Sequence, residues 1–143
     1  MLKYKFLEDV AIADIAFEAY GKNLNELFTN AALALFVMQA DLKTVNQKRS
    51  WKIKLKNSEI DKLLFDFLNE LIFLKDRDYS IFSKIKLKIK EKDKTYHLEA
   101  EVWGEKINPG KHKLGNDVKA VTMHMFEVKK EKGKWKARVV VDI

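Results

Sequence analysis

The sequence predicts an α+β sandwich, with two amphipathic helices packed as one layer on a mainly antiparallel sheet. Three observations lead there. Two segments carry apolar residues at helical spacing, and seven read as strands. The strands gather after the second helix instead of alternating with helices, so the order is not that of a parallel βαβ array.

The first strand is expected over 3–8 and the second over 14–20, ending at Gly21. Asn23 then suits a helix N-cap, and Glu26 three residues on completes a capping-box pattern. From Leu24, apolar residues recur at Leu27, Phe28, Ala31, Leu35 and Met38, one face of a helix running to about residue 39. Residues 49–56 alternate Trp51, Ile53 and Leu55 with Lys52, Lys54 and Lys56, as a half-buried strand does. Ser58 with Asp61 is expected to cap the second helix. Its apolar face is Ile60, Leu63, Leu64, Phe67, Leu68, Leu71 and Ile72, and its end falls near Lys75-Asp76.

Residues 83–91 alternate again, Ile85, Leu87 and Ile89 against Lys84, Lys86, Lys88 and Lys90. Residues 95–103 are their partner, reached by a turn around Glu91-Lys92-Asp93-Lys94. A loop through Asn108-Pro109-Gly110 leads to a last hairpin, 119–129 and 134–142, turning near Lys132-Gly133.

A chain of 143 residues can bury one sizeable core. With one proline, five glycines and no repeat or low-complexity tract, it reads as a single domain over 1–143. At 47% hydrophobic and 34% charged residues, it is not a disordered chain. No apolar run is long enough for a signal peptide or a membrane span, so a cytoplasmic location is expected. The absence of cysteine excludes disulfides, thiolate metal sites and cysteine nucleophiles. The net charge of +7 admits a face for nucleic acid or an acidic partner. It equally admits lysine ladders that solvate outer strand faces and discourage edge pairing, and the alternation favours that second account.

The sequence has no glycine-rich phosphate loop, no His-Glu-x-x-His, no Gly-x-Ser-x-Gly and no aromatic RNA-binding strand signature. Its three histidines, His97, His112 and His124, lie at no metal-ligand spacing. Two aspartates stand out. Asp14 sits between the apolar stretches Val10-Ala11-Ile12-Ala13 and Ile15-Ala16-Phe17, where burial without a partner would be costly. Asp142 follows Val139-Val140-Val141 in a strand that reaches the last residue, so its side chain adjoins the terminal carboxylate of Ile143. Oxygen donors so close repel unless a hard divalent ion such as Mg2+, Ca2+ or Mn2+ lies between them. A solvated turn for Asp14 and a solvated tail for Asp142 are the plain alternatives. Asp9 is a weaker third candidate. Asp61, Asp66 and Glu70 read as a solvated helix face.

The same residues carry a resemblance. Ala13-Asp14-Ile15, Ala19-Tyr20-Gly21, Leu24, Phe28 and Asn30-Ala31-Ala32-Leu33-Ala34-Leu35-Phe36 form a first match. Leu63-Leu64-Phe65-Asp66-Phe67-Leu68-Asn69-Glu70-Leu71 is a second. Gly104-Glu105 with His112, Val118-Lys119-Ala120-Val121-Thr122 and His124 make a third, and the ending from Lys134 through Asp142-Ile143 a fourth. In this order and spacing the chain resembles the archease family over essentially its full length. One stretch departs: Asp9-Val10-Ala11-Ile12-Ala13-Asp14 is one residue longer than the family's N-terminal acidic segment and lacks its His and Thr.

The resemblance implies two packed helices and a sheet. It implies a non-catalytic accessory protein of an RtcB-type RNA ligase in tRNA splicing, promoting ligase guanylylation and repeated turnover. The metal ligands carried over are Asp14, Asp142 and Ile143, with Ca2+ the implied ion and Mg2+ or Mn2+ also suited to the donors. The implied partner is the ligase, with tRNA met through it, and neither a membrane nor a small-molecule substrate is expected. The alternative is a basic RNA-binding or chaperone-like modulator of tRNA-modifying enzymes. A metal-dependent hydrolase is a third possibility, but the acidic cluster lacks a general base or nucleophile.

Overall fold

The structure is a computed structural model that describes residues 2–7 and 14–143. Its elements are β1 (Tyr4–Leu7), β2 (Asp14–Gly21), α1 (Leu24–Gln39), a 3-10 turn (Leu42–Thr44), β3 (Arg49–Asn57), α2 (Ile60–Asp78), β4 (Ser80–Lys92), β5 (Thr95–Lys106), β6 (Ala120–Glu131) and β7 (Lys134–Asp142). The α+β expectation is borne out, and every strand pair is antiparallel. The strands divide between two sheets, ordered β1-β2-β7-β6 and β3-β5-β4.

Local chemistry explains most boundaries. Asn23 caps α1, its Oδ1 accepting from Glu26 N at 2.9 Å, while Glu26 Oε1 reaches back to Lys22 N at 3.4 Å. The cap expected at Ser58 is not formed. The N-cap of α2 is Glu59, which makes no side-chain cap bond, and Asn57 Oδ1 accepts from Glu59 N instead. The helix also passes its expected end at Lys75-Asp76. It stops where Tyr79 takes a left-handed conformation, φ 47°, and β4 starts at once at Ser80. Both long hairpins turn on two residues of positive φ, Asp93-Lys94 (53° and 61°) and Lys132-Gly133 (50° and 76°). That handedness matches the twist of the flanking strands.

The core lies between the helices and the inner faces of both sheets. Leu27, Phe28 and Leu35 of α1 and Leu63, Leu64, Phe67 and Leu68 of α2 are fully buried. They meet Phe17, Val139 and Val141 from one sheet and Leu98 and Val102 from the other. Phe28 and Phe67 stack with ring centroids 6.1 Å apart, tying helix to helix. Each such side chain contributes about 2–3 kcal/mol on burial. Among the described residues, no helix is long and apolar enough to cross a membrane.

Candidate metal centre

Alternation along β2 and β7 sends Phe17, Ala19, Val139 and Val141 inward. Asp14 and Asp142 fall on the opposite parity, and the register pairs them directly, Asp14↔Asp142. Directly opposed residues share a face with Cβ atoms about 5 Å apart, and like charges there destabilise the pair. Asp142 is held from its other side as well. It pairs with Ala120 of β6, and its main-chain O accepts from Lys119 N at 2.9 Å. Ile143 is half-buried and packs against the core, so the end of β7 is anchored.

The electrostatics agree with crowding. The Asp14 carboxyl is pushed above the ordinary carboxylate range, first by a hydrogen bond with the Asp142 carboxyl, then by loss of water and by the Asp142 charge; His124 opposes this weakly. Two carboxylates close enough to compete for one proton are a fit for a hard cation with oxygen ligands. Asp14, Asp142 and main-chain oxygen of Ile143 are the donors at hand. Among the described residues, no three His, Cys, Asp or Glu side chains come together as a metal-ligand group. Side chains alone therefore supply two ligands here. Asp9 lies outside the described residues.

Beside this pair, β6 is not the regular strand the sequence predicts over 119–129. Its register to β7 breaks between Thr122 and Glu127, and Met125 takes φ 53°. The bulge thrusts Met123 (60% exposed) and Met125 (56% exposed) into solvent. His124 is carried on it, its N donating to Thr122 Oγ1 at 3.3 Å, while Thr122 Oγ1 donates to Val140 O at 3.1 Å.

Gly104-Glu105 and His112, which carry part of the family resemblance, form a second polar constellation. Gly104 lies so close to β4 that a Cβ there would meet Ile81 O at 1.9 Å. The next residue, Glu105, is buried and its oxygens are filled. Asn46 N donates to Oε2 at 2.6 Å, and Lys111 Nζ reaches both oxygens at 2.8 and 2.9 Å. His112 Nδ1 accepts from Asn108 N, so its Nε2 carries the proton that is donated to Glu105 Oε2 at 2.9 Å. His112 and Lys111 hold the Glu105 carboxyl down to about 2, against the effect of burial. This is a staple for the loop between β5 and β6. Lys75 of α2 is a second staple. Buried at 5% exposure, its Nζ donates to Val118 O at 2.7 Å and Asp117 Oδ1 at 3.0 Å, just ahead of Lys119 and the acidic pair. Its place near the helix end gave no sign of this.

Comparison with known proteins bears on the whole chain. Residues 4–143 match the model of the Archease protein family. A protein archease of Methanothermobacter thermautotrophicus is 43% identical over 131 residues, 92% of this chain and 93% of that protein. One from Pyrococcus furiosus is 36% identical, over 92% of this chain and 93% of its own. The solution structure of Methanobacterium thermoautotrophicum protein 1598 superposes with a TM-score of 0.87 at 42% identity, covering 99% of both chains. An archease and possible chaperone from Thermotoga maritima shares the fold, TM-score 0.63 at 20% identity over 93% of each chain.

Proposed function

The chain belongs to the archease family, and from that premise we propose that it is a non-catalytic activator of an RtcB-type RNA ligase in tRNA splicing. It promotes ligase guanylylation and repeated turnover by bringing an acidic, metal-binding tip to the ligase. The observation that carries this reading is the direct pairing of Asp14 with Asp142 beside Ile143.

The residues divide the work. Asp14 and Asp142 hold a divalent cation, Ca2+ foremost and Mg2+ or Mn2+ by the same donor chemistry, and Ile143 adds main-chain oxygen. A cation there would supply positive charge toward phosphate oxygens. The β2-β7-β6 ladder fixes the carboxylates by main-chain bonds, so the tip is preorganised. The protruding Met123 and Met125 beside it offer adaptable apolar contacts to a protein surface. The setting is cytoplasmic, and tRNA is met through the ligase.

The test is multiple-turnover RNA ligation by the cognate ligase with and without the protein. Wild type should raise turnover, while Asp14→Ala and Asp142→Ala should fold normally and fail to stimulate. Normal stimulation by both variants would overturn the metal-tip mechanism. A second reading, a chaperone-like modulator of tRNA-modifying enzymes, draws on the possible chaperone role given to the Thermotoga relative. Stimulation of such an enzyme with no effect on the ligase would favour it.

A further inference from the structure

The lysine ladders are not spread over the molecule. β3 and β4 flank the same central strand, β5, and their registers align row by row. Lys52 and Lys86 both pair with Glu101, Lys54 and Lys88 with Glu99, and Lys56 and Lys90 with His97. Lys84 pairs with Trp103 and lies 4.7 Å over its ring. These rows set seven lysines against two glutamates on one sheet face. That excess of five is most of the chain's net charge of +7. All seven lysines are exposed, and among the described residues only Lys54 has an ion-pair partner, Glu99 at 3.7 Å. A merely solvated face does not call for such concentration; the other sheet balances its outer charges, as where Glu18 takes Lys136 at 3.0 Å and Arg138 at 3.9 Å.

We propose that the outer face of β3-β5-β4 binds the phosphate backbone of a nucleic-acid double helix. Geometry and composition select this occupant. Successive outward lysines on one strand lie about 6.6 Å apart, and the two rows about 10 Å apart across β5. These are two cationic tracks with an acidic row, Glu99 and Glu101, between them. A duplex presents two phosphate strands bordering a groove, so each track meets one strand and the glutamates face the groove. A single strand binds where aromatic side chains form a stacking platform, and glutamates hold those central positions here. A protein partner is a poorer fit, since protein interfaces deplete lysine and glutamate and centre on apolar residues. The face lacks arginine and amide side chains in its rows, so it holds backbone without reading bases. The inference is independent of the ligase reading, because the face belongs to the sheet that does not contain Asp14 and Asp142.

The test is fluorescence anisotropy of the full chain with a labelled RNA hairpin, a single-stranded RNA of equal length and poly-glutamate as competitor. The hairpin should bind with a micromolar dissociation constant that weakens steeply with salt, as non-specific phosphate contacts do. Lys54→Gln/Lys86→Gln/Lys88→Gln should weaken hairpin binding at least about tenfold and lower the magnitude of the salt slope by about two to three. Lys22→Gln/Lys43→Gln/Lys113→Gln, equal in charge but off the face, should bind like wild type, and matched melting curves would show both variants folded. Hairpin binding unaffected by the face variant, tighter binding of the single strand, or poly-glutamate displacing the hairpin at lower charge concentration would each overturn the proposal. The last would assign the face to an acidic protein.

Discussion

Asp14 and Asp142, 128 positions apart in the chain, are direct partners across β2 and β7, with side chains on one face of the sheet. Strand pairing holds them together, and the Asp14 carboxyl is raised, first by its hydrogen bond with the Asp142 carboxyl, then by loss of water and by the Asp142 charge. The first prediction follows from that opposition. In a chelator, Asp14→Asn should melt at the same temperature as wild type or slightly above it, because one like charge is gone. On adding Ca2+ the order should reverse, wild type gaining stability with ion concentration while the variant stays put. Thermal melts with and without the ion check this. A chelated Asp14→Asn variant that melts well below wild type would mean the two aspartates are not a strained pair.

How much of this was legible in the sequence depended on range. The alternations at 49–56 and 83–91 and the apolar stripes of both helices are local, and the strands and helices stand where they predict. The α2 cap was misplaced because Asn57, one residue before Ser58, takes the bonding role. The helix end was missed because Tyr79, not a glycine, adopts the left-handed turn. The β6 bulge shows in the sequence only as a change of phase, apolar at Val121, Met123 and Met125 and then at Phe126 and Val128, which a strand period read across 119–129 passes over. The site shows the same limit: two aspartates were visible, but their pairing is a matter of register, and only the family resemblance joined them. The lysines misled in the other direction. Each ladder read alone is a solvated face, and only the shared partner β5 turns two ladders into one surface.

The Glu105 staple sets a second prediction. Glu105→Ala removes the acceptor for His112, Lys111 and Asn46 N at once. Of these only His112 is buried, and leaving its ring N–H unpaired costs about 1–3 kcal/mol. The melting temperature should fall, and amides of residues 107–118 should exchange faster than those of β2 and β7. Hydrogen exchange read by mass spectrometry separates this local loosening from general destabilisation.

Acid should act through the same carboxyl. Glu105 is held at about 2 in the fold against an ordinary 4.5. Between these values the unfolded chain binds the extra proton, so stability from this group is complete above pH 4.5 and drains away as pH falls toward 2. Asp78, held to about 2 by hydrogen bonds from Arg77 first and Trp51 next, acts in the same sense below 3.8. Denaturant unfolding measured from pH 6 to 2.5 should show wild type losing more stability than Glu105→Gln over that window. Parallel curves would mean the Glu105 contacts do not favour its charged form.

Lys75 gives the last prediction, and it concerns the link between core and site. Its buried Nζ holds Val118 O and Asp117 immediately before Lys119, whose N donates to Asp142 O. Lys75→Met fills the space but leaves Val118 O without its donor, a cost of about 1–3 kcal/mol. The freed segment should also let Lys119 pull away from Asp142 and loosen one side of the acidic pair. Phe67→Ala is the control. It opens a cavity in the fully buried core beside Phe28, at a cost of about 3–5 kcal/mol, and removes no hydrogen bond to the 117–119 segment. At a temperature where both variants are folded, calorimetric Ca2+ titration should show weaker binding for Lys75→Met and wild-type binding for Phe67→Ala. Equal affinity in both would place Lys75 among the groups that hold the fold alone; a loss in Lys75→Met only would show that the helix staple tunes the acidic pair through Lys119.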